Sequence, residues 1–160
     1  MDSIGNGRAA AVLFAREGAK VAVAYLCEHE DAQKTVEACE AEGSEALAFA
    51  GDLGDPAVGQ ALVDLVIGEW GRLDVLVNNA GMAPLYPSLG ELSEALFDKV
   101  IDVNLKGPFR LSAAMGERMK AAGGPGSIIN ISSIGSEHPQ PTDVPYAAAK
   151  AGLNSMTKGF

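Results

Sequence analysis

Apolar and polar positions alternate along this chain in two rhythms, one helical and one strand-like. In "RAAAVLFAREGA" the apolar residues fall at helical spacing, and Gly18 is placed to end the helix. "KVAVAYL" is a short, nearly unbroken apolar run and reads as a buried strand. "EDAQKTVEACEAEG" reads as a helix ending at Gly43, and "EALAFAGD" as a strand ending near Asp52. "DPAVGQALVDLVIGEWG" predicts a helix with Pro56 in its first turn, where a missing N–H costs nothing. "LDVLVNNAG" is a strand running into a turn. "SEALFDKVIDVNLKGPFRLSAAMGERMKAAG" predicts a long helix broken or bent near Gly107-Pro108. "GSIINISS" is a further strand, and the chain is helical again from Tyr146.

Alternation of this kind, with strands apolar on both faces, calls for an α/β fold whose parallel sheet is covered by helices on both sides. The chain has 160 residues, which is enough for one domain, and no internal repeat or linker divides it. Residues 1–160 are therefore read as a single domain.

Composition removes several function classes. Lys and Arg number 12 against 21 Asp and Glu, for a formal net charge of −9. That disfavours nucleic-acid binding, which draws on clustered cations. No apolar run approaches the roughly 20 residues that span a bilayer. Cys27 and Cys39 form no CxxC pair and no Cys/His cluster, so they read as plain thiols, with no metal site expected. The opening residues lack the charged-then-apolar layout of a signal peptide. The expectation is a soluble, cytoplasmic protein.

In open α/β sheets ligands bind beyond the carboxyl ends of the strands. Asp52, the Asn78-Asn79-Ala80-Gly81 turn and Ser133 all fall at predicted strand ends, so these polar features are expected to be spatial neighbours. Tyr146 and Lys150 stand at i and i+4 on one helix and share a face. A lysine ammonium close to a phenol favours the phenolate, and a general acid/base works best with a pKa near the working pH.

The motifs "GNGRA", "GDL", "NNAG", "DVN", "ISS" and "YAAAK", in that order, resemble those of the classical short-chain dehydrogenase/reductase family over essentially the whole chain. Each is weak alone; together they are specific. The resemblance implies a Rossmann-like, doubly wound parallel sheet and hydride transfer between NAD or NADP and a secondary alcohol, ketone or sugar-like hydroxyl. It implies that Tyr146 is the acid/base, that Lys150 lowers the tyrosine pKa and holds the nicotinamide ribose, and that Ser133 bonds the substrate oxygen. Asn104 would hold a water linking Lys150 to solvent. Taken singly, each residue has a plainer reading: a half-buried tyrosine beside a surface lysine, a turn serine, a satisfied core amide.

For the cofactor, the resemblance implicates Gly5, Asn6 and Gly7, then Asp52 and Leu53, then Asn78, Asn79, Ala80 and Gly81, together with Tyr146 and Lys150. Gly5 and Gly7 match the last two glycines of the family's turn, while Met1 stands where the first falls. Asp52 reads alternatively as a cap for the helix at Asp55-Pro56, and Asn78 and Asn79 as residues tying strands together. Tyr25 and Leu26 occupy the place where an acid selects NAD, which tilts the expectation toward NADP. His29 and Lys34 read as solvated helix residues. His138, in the segment between Ser133 and Tyr146, reads as an exposed loop residue that is also positioned to meet substrate.

The family also has a strand before the glycine turn and further strands after the YxxxK helix. The chain is therefore expected to be a fragment without its first and C-terminal strands, unstable or inactive by itself. Cooperative unfolding with NADP(H) binding by Met1–Phe160 would refute that. The long helix and the YxxxK helix resemble the family's dimer and tetramer interface, with Leu105, Phe109 and Leu111 as candidates for it. The rival reading is a non-catalytic remnant that serves as an interaction or oligomerisation module.

Overall fold

The computed structural model describes residues 5–160. Met1, in the place of the family's first glycine, lies outside them. The fold is α/β with parallel strands, in two compact units: one ends at Asp52, and the other runs from Leu53 to Phe160.

The first unit contains α1 (Asn6–Arg16), β1 (Val21–Tyr25), α2 (His29–Ala41) and β2 (Ala46–Ala50). β1 and β2 pair in parallel, from Val21 opposite Ala46 to Tyr25 opposite Ala50. Gly18 and Gly43 follow the two helices at φ +87°, the left-handed turn that glycine makes without strain. Ala15, Ala32, Val36 and Cys39 form the buried apolar positions of this unit, mostly small side chains that let helices and strands approach closely. Arg8 fastens α1 to α2, its Nε donating to Thr35 Oγ1 at 2.9 Å and its Nη2 to the Asp31 carbonyl at 2.9 Å.

The second unit contains α3 (Pro56–Trp70), β3 (Val75–Asn78), α4 (Glu94–Ile101), α5 (Gly107–Ala122), β4 (Ser127–Asn130) and α6 (Val144–Gly159). Asp55 caps α3, accepting the Ala57 N–H at 2.9 Å, so the capping role considered for Asp52 belongs to Asp55. β3 and β4 pair in parallel, from Val75 opposite Ser127 to Asn78 opposite Asn130. The expected single sheet thus appears among the described residues as two parallel pairs, with no strand joining β1 or β2 to β3 or β4.

The predicted break at Gly107-Pro108 is a π turn over Asp102–Lys106, between α4 and α5. Its cause is local: Pro108 has no N–H to return to the Asn104 carbonyl, and the Gly107 N–H reaches back to Asp102 instead. Gly107 is required there for a second reason. A Cβ on it would lie 2.7 Å from the Leu53 carbonyl oxygen. Leu111 and Met115 of α5 are buried, Leu111 against Gly59 of α3. Leu111 is therefore a core residue rather than an interface residue. Leu105 packs on Gly152 of α6, while Phe109 is half exposed and stacks on Phe160. Among the described residues no helix is long and apolar enough to cross a membrane.

Candidate active site

Parallel pairing of β3 and β4 brings the Asn78–Gly81 turn and Ser133 to one edge of the second unit. The Ile131 N–H donates to the Asn78 carbonyl at 3.0 Å, and both chains leave the sheet there. The Asn78 amide lies inside the fold. Its Nδ2 donates to Asn130 Oδ1 across the strand pair at 2.8 Å and to Ser112 Oγ of α5 at 3.1 Å. Asn130 continues the chain to Thr157 of α6 at 2.9 Å. The Asn78 amide therefore ties β3 to β4 and α5 through its side chain, and Ala80 and Gly81 beyond it are exposed.

Gly81 sits above the polar heart of this unit. A Cβ there would lie 2.7 Å from Asn104 Oδ1 and 3.7 Å from Lys150 Nζ. Asn104, in the π turn, is fully buried. Its Nδ2 donates to the carbonyls of Met82 at 2.8 Å and Val100 at 2.9 Å, and its Oδ1 accepts the Met82 N–H at 3.2 Å. The amide thus clamps the segment after the NNAG turn. Lys150 is 3% exposed, and its ammonium donates to the Ile131 carbonyl at 2.7 Å. Burial disfavours its charged form and holds it below the ordinary lysine pKa.

Ser133 caps a short 3₁₀ turn, Ile134–Ser136, its Oγ accepting the Gly135 N–H at 3.1 Å. That bond uses the hydroxyl as an acceptor and leaves its proton to donate elsewhere. Gly135 marks the convergence. A Cβ on it would meet Ser133 Oγ at 3.4 Å, Asp143 Oδ2 at 3.6 Å and the Tyr146 ring at 4.0 Å. Ser133 and Tyr146 thus flank one buried glycine, and the Lys150 ammonium lies 5.7 Å from the centre of the Tyr146 ring. An apolar cleft beside Tyr146 is lined by Pro84, Tyr86, Leu92, Leu96 and Pro145. His138 is exposed in the loop.

The first unit holds the remaining candidates. Gly5 precedes α1 without offering a side-chain cap, and no acidic residue stands in the first turn with Asn6 and Gly7. Among the described residues no side chain caps this helix start, an arrangement suited to an anion. At the end of β1 the Tyr25 hydroxyl meets His29 Nδ1 at 2.7 Å, so His29 is partnered rather than simply solvated. Lys34 pairs with Asp31 on the surface. Glu28 turns its carboxylate back onto the Cys27 N–H at 3.2 Å, and hydrogen bonds from the backbone hold it below the usual carboxylate range. Asp52 closes the first unit and Leu53 opens the second, where the Gly54 carbonyl accepts from Arg110 at 2.8 Å.

Several residues with structural parts here carry no motif: Tyr86, Ser112, Asn130, Asn154 and Thr157. Asn154 reaches Ser136 of the 3₁₀ turn at 2.9 Å and fixes it to α6. A polar residue at a buried helical position was the available signal for Ser112, whereas Thr157 is exposed and carried none.

Two features, each within its own unit, have the chemistry that a nicotinamide dinucleotide needs: the bare backbone of Gly81, where a Cβ would strike Asn104 Oδ1, and the N-terminus of α1, with no acidic residue in its first turn. Comparison with known proteins agrees. The family described as short chain dehydrogenase matches residues 2–160. An "uncharacterized oxidoreductase" of Thermotoga maritima is 43% identical over 98% of this chain and 60% of its own. L-Rhamnose 1-dehydrogenase (NAD(P)(+)) of Sphingomonas sp. strain SKA58 is 35% identical over 96% of this chain and 60% of its own. The crystal structure of a metagenomic short-chain oxidoreductase in complex with NADP superposes with a TM-score of 0.91. It is 35% identical, and the match covers 98% of this chain and 69% of that one. The chain thus spans about 60% of the length of these curated relatives. Fold, motif order and family match agree, and the chain belongs to the short-chain dehydrogenase family.

Proposed function

We propose that the protein containing this chain is an NAD(P)-dependent oxidoreductase that moves a hydride between the nicotinamide and a secondary alcohol, ketone or sugar-like hydroxyl. The observation that carries the reading is the convergence of Ser133 and Tyr146 around Gly135, with the buried Lys150 one helical turn beyond Tyr146. When bound, the cofactor accepts or gives the hydride. Gly5, Asn6 and Gly7 would hold its phosphates, Asp52 and Leu53 its adenine, and Asn79, Ala80, Gly81, Tyr146 and Lys150 its nicotinamide half.

The protein's own residues handle the proton. Ser133 directs its hydroxyl proton at the substrate oxygen. Tyr146 takes or gives the proton at that same oxygen. Lys150 keeps positive charge within one turn of the phenol, and its bond to Ile131 fixes where that charge stands. The Asn104 amide is fully engaged with Met82 and Val100, so the group left to hold a water is its main-chain carbonyl, freed by Pro108.

The lean toward NADP is supported by the absence of an acid at Tyr25 and Leu26 and by the NADP complex of the metagenomic relative. The full-length protein is proposed to be cytoplasmic and to form homodimers or homotetramers, with half-exposed Phe109 on α5 beside Phe160 as the apolar contact. The test is to assay that protein against a panel of secondary alcohols, ketones and sugars while following nicotinamide absorbance. Turnover that needs Tyr146 supports the reading. Tight self-association with no cofactor binding would favour the interaction-module alternative.

A further inference from the structure

We infer that Tyr86 is a positioning residue for Tyr146, holding the start of the helix that carries it; this rests on the acid/base reading above. Tyr86 lies in the irregular segment between β3 and α4 and is 6% exposed. Its ring lines the apolar cleft beside Tyr146. Its hydroxyl makes two hydrogen bonds to residues more than fifty positions away. It donates to the Pro141 carbonyl at 3.0 Å and accepts the Val144 N–H at 3.0 Å.

Val144 is the first residue of α6, and the first N–H groups of a helix have no partner within it. An N-cap side chain ordinarily supplies that partner. Here the N-cap is Asp143, and it makes no such bond. Its carboxylate is turned to the Gln140 N–H at 2.8 Å. The phenol of Tyr86 stands in for the missing cap. The bond it donates to Pro141 fixes the hydroxyl proton, which aims the oxygen's acceptor side at Val144. One hydroxyl therefore bridges both ends of the Pro141–Val144 turn, and Tyr146 follows two residues later. Packing alone would be served by phenylalanine; the hydroxyl serves the turn. Tyr86 is buried while Pro141 and Val144 lie at the surface, so the two bonds pin the surface turn to a residue held in the interior.

The test uses the full-length protein with Tyr86→Phe, which keeps the ring and removes both bonds. Misplacing a reacting group by about 1 Å costs up to about 100-fold. The expected result is a kcat at least about tenfold lower per cofactor-binding site, with substrate KM and cofactor Kd essentially unchanged. A purely structural role would instead lower the number of cofactor sites and leave kcat per site intact. A second measurement needs no variant: amide exchange at Val144 in the unmodified protein is expected to be slow for a first-turn amide. An unchanged kcat per site in Tyr86→Phe, or free-peptide exchange at Val144, overturns the inference. Tyr146→Phe is measured alongside. Full turnover there overturns the acid/base reading itself, whereas an inactive Tyr146→Phe beside a fully active Tyr86→Phe overturns only the role of Tyr86.

Discussion

The Lys150 ammonium donates to the Ile131 carbonyl across 2.7 Å, joining α6 to the chain just past β4. The bond holds a cation in the interior, where its charge is opposed by desolvation. Because the folded pKa lies below the unfolded one, the unfolded chain binds more protons as pH rises through that window. Stability relative to a Lys150→Met variant is therefore expected to improve from neutral pH toward 10.5, as the buried cation loses its proton. Urea unfolding of both full-length proteins at neutral and alkaline pH checks this. A gap moving the other way would mean that Lys150 is more readily charged in the fold than outside it. Activity is expected to fall over the same alkaline window.

Gly81→Ala puts a methyl 2.7 Å from Asn104 Oδ1. That oxygen belongs to a fully buried amide with three backbone bonds, so it yields little. Overpacking of this kind typically costs about 1–3 kcal/mol. Thermal unfolding should show the loss.

Asp55→Ala removes the cap of α3 and should cost about 1 kcal/mol, with Asp55→Asn largely retaining stability. Chemical denaturation is the measurement. An equal loss in both variants would assign the effect to charge rather than to the capping bond.

Much of this architecture is legible in the sequence, for identifiable reasons. Strand and helix periods are local, and the helix break at Pro108 follows from one absent N–H. Tyr146 and Lys150 share a face because of their spacing alone. Other features depend on contacts that no period encodes. Whether Leu111 faces the core or a partner subunit depends on which neighbour covers α5, and Gly59 of α3 supplies that cover. The choice between Asp52 and Asp55 as the cap turned on where α3 begins. Tyr86 sits in an irregular segment, where neither a helical nor a strand pattern marks it as buried. The engagement of the Asn104 amide with Met82 is likewise tertiary.

The proposed lean toward NADP can be tested at Glu28. Its carboxylate lies in the turn after β1, against the Cys27 N–H. A negative charge there opposes a 2′-phosphate. Glu28→Gln is expected to raise the preference for NADP over NAD, read from Kd for each cofactor. No change in the ratio would place the selecting group elsewhere.

The central claim is that the phenol of Tyr146 carries the proton at the substrate oxygen. Tyr146→Phe in the full-length protein tests it most directly, with kcat and cofactor Kd measured on the same preparation. The account predicts a kcat lower by about 100-fold or more, in the range of general acid/base contributions, with cofactor binding retained. A Tyr146→Phe protein that turns over at the unmodified rate would contradict it.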